Sequence, residues 1–88
     1  MTETHPLILY SRQDCHLCEL AANLLRQLEI SFTEVDIDND PGLQDRYGLS
    51  VPVLRDSVSG RELSFPFGEE QIRTFVTPDF MLRRPARD

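Results

Sequence analysis

The chain has 88 residues, 15 acidic against nine basic, for a net charge of −6. That length gives one small domain with a single core and no second catalytic lobe, so any chemistry acts on a partner brought to its surface. The acidic balance, with arginine as the only basic residue type besides two histidines, argues against nucleic acid as a partner.

The opening Met1-Thr2-Glu3-Thr4-His5 is polar, and the apolar run after it is too short for a signal peptide or a membrane span. The expectation is a cytoplasmic protein without membrane attachment, in a compartment that keeps thiols reduced. Leu7 to Tyr10 is a continuous apolar run, the pattern of a central strand covered on both faces. From Cys15 to Leu28 the spacing predicts an amphipathic helix, with Leu17, Leu20, Ala21, Leu24, Leu25 and Leu28 facing in. Phe32, Val35 and Ile37 fit a second strand within Ile30 to Ile37. Asp40-Pro41 reads as the cap and first residue of a short helix, with Leu43 and Tyr47 on one face and Gly48 as its stop.

Val51 to Leu54 is a third strand with Pro52 near its start, where a missing N–H does no harm to a ladder. Asp56 to Gly60 is turn-rich and leads into a fourth strand, Arg61 to Phe65, which closes a hairpin. Glu69 to Val76 is a last helix with two acids at its positive end and Ile72, Phe75 and Val76 turned inward. The domain therefore spans residues 1–76, and residues 77–88, with Arg83, Arg84, Pro85 and Arg87, form a C-terminal tail that is frayed or loosely docked. The order β-α-β-α-β-β-α, with a right-handed crossover between the first two strands, gives an α/β fold: one four-stranded mixed sheet with helices on both faces.

Within this order Cys15-His16-Leu17-Cys18 sits directly between the first strand and the first helix. A helix N-terminus presents unpaired N–H groups and a positive dipole, which stabilise a thiolate and can pull a cysteine from about 8.5 down to roughly 3.5–7.5. That placement points to dithiol–disulfide exchange. Zinc needs four ligands, and His5 and His16 are the only nitrogen donors, so no metal site is expected. The acids from Glu34 to Asp45 lack the glycine and terminal glutamate of a calcium loop and read as a solvated face.

The strand–Cys-x-x-Cys–helix order and the Ser50-Val51-Pro52 segment resemble the thioredoxin fold, and most of all its glutaredoxin branch, over Leu7 to Val76. The resemblance implies that Cys15 is the nucleophile and Cys18 the resolving thiol, and it sets Arg12 where glutaredoxins usually carry lysine; Arg12, His16, Val51 and Pro52 are the candidate substrate-binding residues. It also makes Pro52 a cis-proline, where the residues alone would leave it trans, as most X–Pro bonds are.

The chain departs from the glutaredoxin pattern at three places. The dipeptide between the cysteines is His-Leu, Asp14 stands next to Cys15 and opposes the thiolate, and Phe65-Pro66-Phe67-Gly68-Glu69-Glu70 replaces the segment that helps hold glutathione. Arg12 has two readings of equal weight, a magnet for an anionic substrate or a solvated side chain; His16 likewise either moves a proton or merely tunes the pair.

The expected function is thiol–disulfide exchange by a monomer acting on a disulfide-bearing protein or a small thiol substrate. A dithiol reductant supplies electrons, glutathione is a poorer co-substrate, and no bound cofactor is needed. The alternatives are an adaptor module with vestigial cysteines and an iron–sulfur cluster held by Cys15 across a dimer. Because the periodic apolar pattern stops at Val76, deleting residues 77–88 should leave the fold intact. The amide dispersion of the truncated protein in an NMR spectrum checks this: loss of half the dispersed signals would make Phe80, Met81 and Leu82 part of the core.

Overall fold

The computed structural model describes residues 7–76; the tail at 77–88 and His5 lie outside the described residues. β1 (Leu7–Ser11), β2 (Thr33–Asp36), β3 (Val53–Asp56) and β4 (Glu62–Ser64) form one sheet in the order β2-β1-β3-β4. β1 runs parallel to β2 and antiparallel to β3, and β3 and β4 make the hairpin, so the sheet is mixed as expected. The helices are α1 (His16–Gln27), α2 (Pro41–Tyr47) and α3 (Glu69–Val76), and a short 3-10 turn at Ile37–Asn39 precedes α2.

Alternation along the strands divides the core into two faces. Leu7, Leu9 and Leu54 meet Ala21, Ala22 and Leu25 of α1 and Ile72 and Phe75 of α3 on one side. On the other, Val53 packs with Ile37 and Tyr47, and Tyr10 stacks on Tyr47 with ring centroids 4.4 Å apart. Helices thus cover both faces. Phe67 is buried in the larger cluster, edge-on to the half-buried Phe65, so both rings serve packing.

The structure corrects the sequence reading at α1, β2 and β3. Leu17 and Leu20 are 48% and 44% exposed, because the stripe that meets the sheet is Cys18, Ala21, Ala22 and Leu25. The leucine stripe lies about one residue, or roughly 100°, ahead of it. β2 stops at Asp36, whose carboxylate caps the 3-10 turn by accepting from the Asp38 N–H at 2.8 Å. β3 starts at Val53 and continues to Asp56, leaving Val51 and Pro52 in the loop before it. Asp56 is 1% exposed, yet its carboxylate accepts the N–H groups of Val58 and Ser59 at 2.9 and 3.3 Å, which meets the demand of a buried acceptor. Gly60 closes that hairpin at φ 81°, a conformation an L side chain resists.

α2 carries the expected cap, Asp40 accepting from Gly42 and Leu43, with Pro41 as first residue. Its last residue, Tyr47, donates its hydroxyl to Glu62 of β4, which also receives Arg55 at 2.8 Å and lies 3.8 Å from Arg46. The Tyr47 hydrogen bond, joined by those two arginines, holds the Glu62 carboxyl below its ordinary range. A lowered folded-state pKa adds stability above the unfolded value, and that stability is lost as pH falls through the folded value. Glu62→Gln should therefore lower the melting temperature near neutral pH, with the gap from wild type closing as acid is added. Thermal melts of both proteins from pH 7 to pH 3 measure it; a gap that is the same at every pH would show that Glu62 is not held ionised by these partners.

Candidate functional site

The site lies where β1 ends. Arg12, Gln13 and Asp14 carry the chain from the sheet to α1, with Asp14 at φ 58°, a left-handed position that aspartate tolerates better than most residues. Cys15 follows with extended backbone as the N-cap of α1, so the helix proper begins at His16, one residue later than its spacing predicts. The Cys15 sulfur accepts a hydrogen bond from the Cys18 N–H at 3.2 Å, in the place of the oxygen that usually caps a helix. This is one of the donors the first turn leaves unpaired.

Cys15 and Cys18 form a disulfide, their Cα atoms 5.2 Å apart, well within the span a disulfide bridges. Their surroundings differ. Cys18 is 2% exposed and belongs to the sheet-facing stripe of α1, whereas Cys15 is half-buried at the helix end. His16 is exposed beside Cys15, and no group of three histidine, cysteine or acidic side chains suited to a metal ion occurs among the described residues.

Val51 and Pro52 reach the same end of the sheet. The antiparallel register sets Val53 against Tyr10, so the next step brings Pro52 opposite Ser11, immediately before the turn that carries the cysteines. The Val51–Pro52 peptide bond is cis, as the resemblance implied; the Phe65–Pro66 bond is cis as well, which no sequence signal suggested. Pro52 is fully buried and its carbonyl accepts from the Phe65 N–H at 3.1 Å, while the Val51 N–H donates to the Tyr47 carbonyl at 3.1 Å.

Arg12 is tied into the fold, although its side chain stays 37% exposed. Its Nη2 and Nε reach the two Asp38 carboxylate oxygens at 2.6 and 3.4 Å, and its Nη1 donates to the Gly48 carbonyl at 3.1 Å. The bond to Asp38 raises the Arg12 pKa further above its already high value. Gln44 of α2 donates to the same Asp38, through its side-chain amide, at 3.3 Å. Asp38 had no distinguishing mark in the sequence; only the fold brings it to Arg12. An open cleft of about 590 Å³ beside the turn is lined by Ser11, Arg12 and Gln13 together with four carboxylates, those of Asp14, Glu19, Glu34 and Asp36. Of the two acids that begin α3, Glu69 is bound by Arg73 at 2.8 Å.

The model of the glutaredoxin-like domain (DUF836) matches residues 6–77. The chain belongs to this family. A solved structure similar to this glutaredoxin-like chain is structural genomics target protein XcR50 from X. campestris, 47% identical, with a TM-score of 0.74 over 82% of this chain and 99% of that one. Protein Ne2328 from Nitrosomonas europaea is 28% identical, with a TM-score of 0.74 over 88% of this chain and 96% of that one. The SPbeta prophage-derived thioredoxin-like protein YosR of Bacillus subtilis (strain 168) is 35% identical over 48 residues, which span 53% of this chain and 60% of that protein. No helix among the described residues is long and apolar enough to cross a membrane.

Proposed function

We propose that this glutaredoxin-like protein is a thiol–disulfide oxidoreductase. The observation that carries the proposal is the unequal pair: Cys15 at the cap of α1, within reach of a partner, bonded to Cys18 in the buried stripe. A dithiol donor delivers two electrons and two protons to the disulfide and leaves both cysteines reduced. The Cys15 thiolate then attacks one sulfur of a substrate disulfide; the substrate S–S bond breaks, a mixed disulfide forms on Cys15, and the departing thiolate takes a proton. Cys18 loses its proton and attacks the Cys15 sulfur. This restores the Cys15–Cys18 bond and frees the second substrate thiol. Over the cycle the donor is oxidised and the substrate reduced.

The protein substrate lies extended past Val51-Pro52. Because the Val51 N–H and the Pro52 carbonyl are already used within the protein, the Val51 carbonyl is the backbone acceptor offered to it. In this reading His16, exposed beside Cys15, meets the substrate. The reading makes a definite prediction about intermediates: Cys18→Ser should accumulate a mixed disulfide on Cys15, and Cys15→Ser should trap nothing. Non-reducing gels and intact mass after incubation with an oxidised protein substrate measure it. Trapping through Cys18 instead would reverse the assignment, and an unchanged biological activity in the double serine variant would favour an adaptor.

The donor follows from charge. Glutathione is anionic, and the cleft beside the turn offers it four carboxylates with an arginine already bound to Asp38. The purified protein should cycle at least about tenfold faster with a dithiol donor than with glutathione, the effect of roughly 1.4 kcal/mol of unfavourable electrostatics. Parallel assays coupled to glutathione reductase and thioredoxin reductase decide this. Equal rates would give the protein an ordinary glutathione cycle.

A further inference from the structure

The guanidinium of Arg12 joins two segments that the proposed exchange needs in fixed relation. Arg12 itself lies in the turn that carries Cys15. The Gly48 carbonyl, which it holds at 3.1 Å, begins the loop that leads to Val51-Pro52. Asp38, on the 3-10 turn, fixes the rest of the fork and is braced by Gln44. We infer that Arg12 is a positioning residue, which sets the Val51-Pro52 backbone against Cys15 through Asp38 and the Gly48 carbonyl without touching the substrate. The inference rests on the exchange reading.

Three observations support it. All three guanidinium nitrogens donate inside the protein, so the orientation of the fork is fixed by Asp38 and the Gly48 carbonyl. The loop hangs from α2 by two bonds, with the Ser50 and Val51 N–H groups on the Tyr47 carbonyl at 2.8 and 3.1 Å. Arg12 holds its other side. The anchor is also tightly wound: a Cβ at position 48 would stand 2.5 Å from the Gln44 carbonyl oxygen, so glycine permits the close last turn of α2 whose end Arg12 grips. The Arg12 and Asp38 side chains are 37% and 38% exposed, and an ion pair so open to water contributes little to stability. Its effect is felt in geometry. Lysine keeps the charge but lacks the planar fork that serves a carboxylate and a carbonyl at once.

The test compares R12Q, R12K and D38N in the full chain, with insulin as the disulfide probe and dithiothreitol as donor, and follows the amide resonances of Leu49, Ser50 and Val51. Each variant should displace those amides and raise KM for insulin about fivefold with kcat held within about twofold, the scale of a partly exposed ion pair. The sign of D38N discriminates. If Arg12 bound an anionic substrate directly, D38N would free it and lower KM for glutathione disulfide while R12Q raised it, which would overturn the inference. Wild-type kinetics in R12K would overturn it too, since charge alone would then suffice, as would amides of Leu49 to Val51 that stay in place. Should the wild type leave insulin unreduced, the exchange reading fails, and the amide shifts alone decide whether Arg12 positions the loop.

Discussion

The passage from β1 into α1 constrains everything at the site. β1 is an interior strand, paired with β2 on one side and β3 on the other, so its end is fixed by two ladders. α1 is fixed in turn by Ala21, Ala22 and Leu25 against Leu9. Between the two the chain has only Arg12, Gln13, Asp14 and the cap residue Cys15, and it makes the turn by placing Asp14 in the left-handed region. Once the helix phase is set by Ala21, Ala22 and Leu25, Cys18 must face the sheet. Cys15, three positions earlier at the cap, stands over it with its sulfur toward the Cys18 N–H. The unequal exposure of the two sulfurs is therefore a consequence of core packing, and the core enforces it with the apolar surface of a whole helix.

The opposite face of the sheet supports the second half of the site. Tyr47 ends α2, stacks on Tyr10 of β1 and bonds Glu62 of β4, so one ring ties the helix to both a central and an edge strand. From its carbonyl hang the N–H groups of Ser50 and Val51. Burial of that ring and the loop before Pro52 are thus linked through the backbone of one residue. The cysteines depend on one face of the sheet and the proline loop on the other, and the two meet only at the end where β1 stops and β3 begins.

Most of the architecture was legible in the sequence because its signals are local. The strand at Leu7, the capped helix at Asp40-Pro41, the turn around Gly60 and the Cys-x-x-Cys placement each depend on residues a few positions apart. The errors arise where partners are distant. Leu17 and Leu20 extend the apolar arc of α1 beyond the width the sheet can cover, and periodicity cannot say which part of a wide arc is buried. β3 takes its limits from its pairing with β1, so Asp56, a turn residue by composition, ends inside the sheet. At the site, Cys15 and Cys18 could be read directly. The partner of Arg12 could not, since Asp38 lies 26 residues away and is one of several similar acids.

Arg12 is one case of a wider use of arginine in this chain. Among the described residues, Arg26 lies over the Phe32 ring, Arg46 over Tyr47, and Arg55 is bound to Glu62. Arg61 lies over the Phe75 ring and donates to the Phe75 carbonyl at 2.8 Å, fastening the hairpin to the end of α3, and Arg73 pairs with Glu69. The planar fork suits such work, since it can meet a carboxylate, a carbonyl or a ring face while its stem packs on apolar surface. A chain of net charge −6 with no lysine has thus committed most of the cations of its described part to holding elements together. The acids outnumber them, and the excess is left at the surface, including the cleft beside the cysteine turn. The same distribution that fastens the fold therefore makes the cleft beside the cysteine turn electronegative.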